Sequence, residues 1–296
     1  MKNIFVNPER RLRNGWWLLI FFAFVAITRF AYRPITHGLK DLGLAPVWLE
    51  PAPFVFILLA TWGCLRLRRQ RLADVGFQLD RRWLGQLAAG TAIGLLEMLV
   101  IGGLIWAVGG VRFEISAAAS VASLGRAAYV FLFVALFEET LFRGFAFQRL
   151  VDGIGAWPAQ IVLALLFAAG HFDNPGMQGA TRIWATIDLA LGAILFGLAY
   201  LRTRSLALPV GWHLGWNWAQ GALLGFGVSG FDQAGWLHPL FQGKPEWLTG
   251  GRFGPESSIF AVAVDLLALV LIWRWKGTAR ARGTPNDTWL EAPRPA

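Results

Sequence analysis

Long apolar runs alternate along the chain with short polar connections that carry most of the arginines. A helix needs roughly 17–25 apolar residues to cross a bilayer. About eight runs approach that length: 15–32, 47–66, 85–109, 125–150, 156–172, 182–202, 205–228 and 258–275. The pattern predicts an all-α fold, a polytopic membrane helix bundle with about eight transmembrane helices. The first run is followed by Arg33-Pro34 rather than by a small-x-small cleavage site, so it is read as a membrane helix and not as a signal peptide. The connection 66–83 contains six arginines and is expected to be a soluble loop, and 229–257, rich in Gly and Pro, to be the longest loop. No internal repeat is visible. Residues 1–277 are expected to form one transmembrane domain, and the polar, Pro-containing stretch 278–296 a disordered cytoplasmic tail.

Composition sharpens this picture. Of the 296 residues, 56% are hydrophobic and 15% charged, against about 25% charged in an ordinary soluble domain. The 16 Trp and 23 Phe suit a chain with membrane interfaces. The single cysteine, Cys64, excludes an internal disulfide and a multi-cysteine metal site. A net charge of +9 would fit a nucleic-acid partner, but the arginines flank apolar runs and so read as topology signals and anchors for lipid headgroups. They gather in the N-terminus, the 66–82 loop, at Arg149, Arg202 and Arg204, and in 274–282. With eight spans, that asymmetry puts both termini in the cytoplasm. The compact build suggests a bacterial inner membrane.

Charges inside membrane spans are costly, and they usually face a protein interior where they serve a purpose. The fourth run reads FLFVALFEETLFRGFAF and contains Glu138, Glu139 and Arg143. Glu139 and Arg143 are four residues apart on one helical face and can pair. Glu138 lies about 100° around the helix, where Arg143 reaches poorly. One carboxylate is thus compensated and one is left over. In low dielectric, a left-over carboxylate is suited to act as a general base near neutral pH. By themselves, the three charges fit a structural ion-pair cluster equally well. The fifth run ends with His171, and the seventh holds His213 and Asn217, again four apart. Singly, such residues serve as interhelical hydrogen-bond partners. Together, carboxylate, imidazole and carboxamide are the groups needed to activate a water and stabilise an oxyanion. Gly211 and Gly215 flank His213 and would let helix backbones approach closely.

The segments EETLFR (138–143), FAAGH (167–171) and HLGWN (213–217) resemble the three motifs of the intramembrane proteases called CPBP, for CAAX proteases and bacteriocin-processing enzymes: EExxxR, FxxxH and HxxxN. The resemblance covers roughly 125–220. It implies an endopeptidase acting on a membrane-associated peptide or protein substrate. Glu138 would be the general base, His171 would help hold and polarise the water, and His213 and Asn217 would bind the oxyanion. Glu139 and Arg143 would be the supporting pair. Two histidines and a carboxylate (Glu138, His171, His213) could instead hold a zinc ion with one open position. HExxH and cysteine clusters are lacking, and a mechanism without metal or other cofactor is preferred.

Glu97, Asp188 and Asp265 also lie in predicted spans and read as structural groups; the alternative for Asp188 is to line the cavity or support the histidines. Two rival functions share the same polar cluster. One is a non-catalytic protein of the bacteriocin-immunity or scaffold kind. The other is a small transporter, against which the lack of repeats and of helices broken in mid-membrane counts.

Overall fold

A computed structural model describes residues 4–7, 10–117 and 119–278. The expected tail at 278–296 lies, beyond Thr278, outside the described residues. The fold is an all-α polytopic bundle. Five helical segments among the described residues are long and apolar enough to cross a membrane: Asn14–Asp41, Pro46–Leu67, Arg81–Ala107, Val121–Ile154 and Gly179–Thr203. The other three predicted runs are also helical but shorter, at Ala156–Ala169, Ala207–Asn217 and Ile259–Arg274. The α-helices in chain order are α1 (Asn14–Asp41), α2 (Ala52–Leu67), α3 (Arg81–Ala107), α4 (Val121–Arg143) and α5 (Phe145–Ile154). They continue with α6 (Ala156–Ala169), α7 (Gly179–Thr203), α8 (Ala207–Asn217), α9 (Glu246–Thr249) and α10 (Ile259–Arg274).

Polar residues start several helices. Asp80 accepts from the Trp83 N–H at the head of α3, Ser120 from Ser123 at α4, and Ser258 from Ala261 at α10. Each satisfies one of the backbone donors that a helix start leaves free. Two boundaries differ from the hydrophobic pattern. The first helix runs through Pro34 to Asp41, because a single proline removes one ladder bond without ending a long helix. The fourth run is broken at Gly144, which separates α4 from α5. A Cβ there would strike the Thr140 carbonyl oxygen, so the bend requires glycine.

The 229–257 connection is a folded cap, not an open loop. Its strand β2 (Leu237–Phe241) pairs antiparallel with β1 (Val111–Ile115), Val111 opposite Phe241 and Ile115 opposite Leu237. The arginine-rich 66–83 connection is likewise packed down. Gly76 accepts from Leu206 N–H and from the Trp83 indole, and Gln78 donates to Arg204. Arg202 in turn donates to the Trp273 carbonyl. The basic connections therefore meet at one end of the bundle.

Large apolar side chains cover the outside, among them Phe30, Leu165 and Leu271, as suits a surface in contact with lipid. The α7 span is more than half buried inside the protein, whereas that of α1 is almost wholly on its surface. Against this central region, α3 and α8 pack backbone to backbone. A Cβ on Gly90 or Gly94 would run into the carbonyl oxygens of Leu208 and Trp212; one on Gly211 or Gly215 would meet those of Leu87 and Thr91. The two glycine pairs, each spaced by four, form a reciprocal seam that replaces side chains with close van der Waals contact. The seam fixes the position of the short helix that carries His213 and Asn217.

Gly94→Ala should therefore destabilise the protein by about 1–3 kcal/mol through overpacking. Gly103→Ala, on the same helix with nothing within 4 Å of the added carbon, should be neutral or slightly stabilising. Thermal unfolding of both variants in one detergent distinguishes the two outcomes.

Candidate active site

The two glutamates of α4 have different surroundings. Glu139 is fully buried, and its Oε1 accepts from Arg143 Nη1 at 3.1 Å. The same oxygen lies 3.1 Å from His213 Nδ1 on α8. Glu138, one residue earlier and a quarter turn away, is 20% exposed and faces a cavity of about 560 Å³. Its Oε2 is 3.8 Å from His213 Nε2. One imidazole thus stands between the carboxylates, turning one ring nitrogen to each. With Nδ1 donating to Glu139, Nε2 is the nitrogen presented to the cavity.

Arg143 is 3% exposed, and a guanidinium so deep is tolerable only with full pairing. Its Nη2 donates to the Ala193 carbonyl of α7 at 2.9 Å. The rings of Phe142, Phe167 and Phe196 lie 5.8, 5.3 and 5.4 Å from its central carbon, close enough for cation–π attraction. Phe196 also stacks on His213, with centroids 5.5 Å apart and planes 19° apart. The imidazole is therefore fixed in position by Glu139 and in plane by Phe196.

His171 lies two residues beyond the end of α6, in a turn and not in a longer helix. Its Nδ1 is 2.8 Å from the Phe167 carbonyl, and the side chain lines the same cavity as Glu138 and His213. Asn217 lies one turn after His213, where α8 ends, and lines it too. Beyond Asn217 the ladder widens into a π-helical turn over Trp218–Leu223, an irregularity often found at functional sites. Glu138, His171, His213 and Asn217 therefore share one cavity, with Glu139 and Arg143 behind it.

Three features went unnoticed in the sequence. The Glu139–His213 contact is one. Asp265 is another: it lines the cavity together with Asp188, which alone of the two was considered for it. Their charge in apolar spans was the available signal. Glu256, in the short turn before α10, lines the cavity as well; a Gly- and Pro-rich connection gave no sign of it. Burial holds its carboxyl above the ordinary range, partly offset by the Ser229 N–H that donates to it. Glu97 lies away from the lining and accepts from the Trp212 indole.

No three His, Cys, Asp or Glu side chains among the described residues are grouped at metal-ligating spacing. His213 Nδ1 and His171 Nδ1 are both engaged by protein oxygens.

Residues 119–219 match the family model described as type II CAAX prenyl endopeptidase Rce1-like. The match runs from the start of α4 through α8 and contains all six candidate site residues. This segment is therefore similar to that endopeptidase family, as the motifs suggested. Neither the comparison with curated proteins nor that with solved structures gives a match.

Arg143→Met should cost about 3–5 kcal/mol by leaving Glu139 buried without its cation. Adding Glu139→Gln should recover part of that loss. Unfolding midpoints of the single and double variants check this; simple addition of the two losses would contradict it.

Proposed function

We propose that the protein is an intramembrane endopeptidase that hydrolyses a peptide bond of a membrane-associated substrate with a water activated by Glu138. The observation that carries this reading is the pairing of Glu138 with His213 Nε2 across 3.8 Å in a shared cavity, while Glu139 is committed to Arg143. The cavity, at about 560 Å³, is in the range of roughly 300–1,000 Å³ common for ligand sites.

In the proposed reaction, Glu138 takes a proton from water as the water oxygen attacks the peptide carbonyl carbon. His171, on the same cavity wall, holds and polarises that water. Negative charge moves to the carbonyl oxygen, where His213, as an imidazolium donating from Nδ1 to Glu139 and from Nε2 to the oxyanion, and Asn217, donating from its amide, stabilise it. Glu138 then returns the proton to the departing nitrogen as the C–N bond breaks, leaving a carboxyl and an amine product. Glu139 and Arg143 hold the imidazole and the helix ends in place. This sequence uses side chains alone and requires no metal.

The grouping of the basic connections at one end of the bundle supports the positive-inside orientation. We place that end in the cytoplasm, with the protein in a bacterial inner membrane.

The test uses the purified chain in nanodiscs with a fluorogenic peptide library. Glu138→Gln should lower turnover by about 10²–10⁴-fold, as loss of a general base does. Asn217→Ala should lower it by about 10²–10³-fold, as loss of an oxyanion donor does. Full cleavage by Glu138→Gln would refute the assignment of the base.

A chelator series on the wild type addresses the metal. Unchanged turnover is expected. Loss with o-phenanthroline and recovery on adding zinc would replace the metal-free mechanism.

A further inference from the structure

The cavity carries more acid than hydrolysis needs. Besides Glu138, Asp188 of α7, Asp265 of α10 and Glu256 line it, and no Lys or Arg among the described residues does. Asp188 is 5% exposed and its Oδ1 has no hydrogen-bond partner among the described residues. It lies within electrostatic reach of Asp265 and Glu256. Asp265 is equally buried, and its Oδ2 lies 3.6 Å from where a Cβ on Gly192 would be, one turn along α7 from Asp188. The two aspartates therefore face the cavity from adjoining helices.

Like charges in such a setting repel with little screening, and a structural acid at this depth ordinarily has a cation beside it, as Glu139 has Arg143. Burial alone would keep such carboxyls neutral; a cation that enters through the cavity would ionise them and pair with them. The surrounding lining is apolar, with Leu189, Leu195 and Phe196 on the same helix. A charge on a long apolar stem fits both surfaces, and a lysine or arginine side chain is such a group.

We infer that Asp188 and Asp265, assisted by Glu256, form a subsite that binds a Lys or Arg side chain of the substrate close to the scissile bond. The inference rests on the hydrolase reading above and names its substrate class. Asp188 stands two turns, roughly 12 Å along α7, from Phe196, which stacks on His213. An extended peptide spans that in three or four residues at roughly 3.3–3.6 Å each. The basic residue therefore falls within about three positions of the cleaved bond.

The experiment uses the full chain in nanodiscs and peptides of one frame, with Lys, Arg or norleucine at each of the three positions on either side of the cleaved bond. At one position, kcat/KM for Lys or Arg should exceed that for norleucine by about tenfold or more, a difference of about 1.4 kcal/mol. In Asp188→Asn/Asp265→Asn, that ratio should fall to near one. The ratio is internal to each preparation, so a smaller folded fraction does not change it. Equal cleavage of basic and norleucine peptides by the wild type, or a ratio that survives in the double variant, overturns the subsite. If no peptide is cleaved, the hydrolase reading fails, and anisotropy of labelled Lys and norleucine peptides on the wild type decides the subsite separately. Tighter Lys binding that is lost in the double variant sustains it, and equal binding overturns it.

Discussion

A carboxylate buried in a membrane protein must be shared out among cations and donors, and Glu139 is shared between Arg143 and His213. The remainder of the site follows from that contact. Because Arg143 also donates to Ala193 and lies among the rings of Phe142, Phe167 and Phe196, the pair draws α4, α6 and α7 together at one point. Because the same oxygen of Glu139 engages Nδ1 of His213, the other ring nitrogen is turned to the cavity and to Glu138. Breaking the pair would cost more than one ion pair, since it would free the imidazole and expose a charge to a low-dielectric interior.

The seam between α3 and α8 gives this contact its rigidity. The helix that carries His213 and Asn217 is only 11 residues long and, at about 1.5 Å per residue, too short to be held by length alone. Gly90 and Gly94 against Gly211 and Gly215 bring the two backbones into direct contact, which lets a short helix hold a ring and an amide in fixed positions. Past the end of α8, Val228, Ser229, Phe231, Gln233 and Glu256 of the following connection line the cavity.

Much of this was legible in the chain. The separation of Glu138 from Glu139 follows from helical geometry, and so does the shared face of His213 and Asn217. The all-α membrane fold was evident from the hydrophobic runs, and the family match from three short motifs. What could not be read was every relation between distant segments. Nothing in α4 indicates that Glu139 would meet His213, 74 residues away. Gly211 and Gly215 suggested close packing but not against which helix. The pairing of Val111–Ile115 with Leu237–Phe241 joins segments more than 120 residues apart, and no local signal marks it. For Asp188 and Asp265 the charge was visible but the direction of the side chain was not, because facing inward depends on how α7 and α10 pack together.

The central claim is that Glu138 and His213 act as one unit in the cavity, Glu138 on the water and His213 on the developing oxyanion. A double-mutant cycle on turnover tests it most directly, with Glu138→Gln and His213→Gln made singly and together in the folded protein. Residues that act as a unit give strongly non-additive losses, so the double variant should be scarcely slower than the slower single variant. Losses that multiply, or a single variant that retains wild-type turnover, would contradict the account.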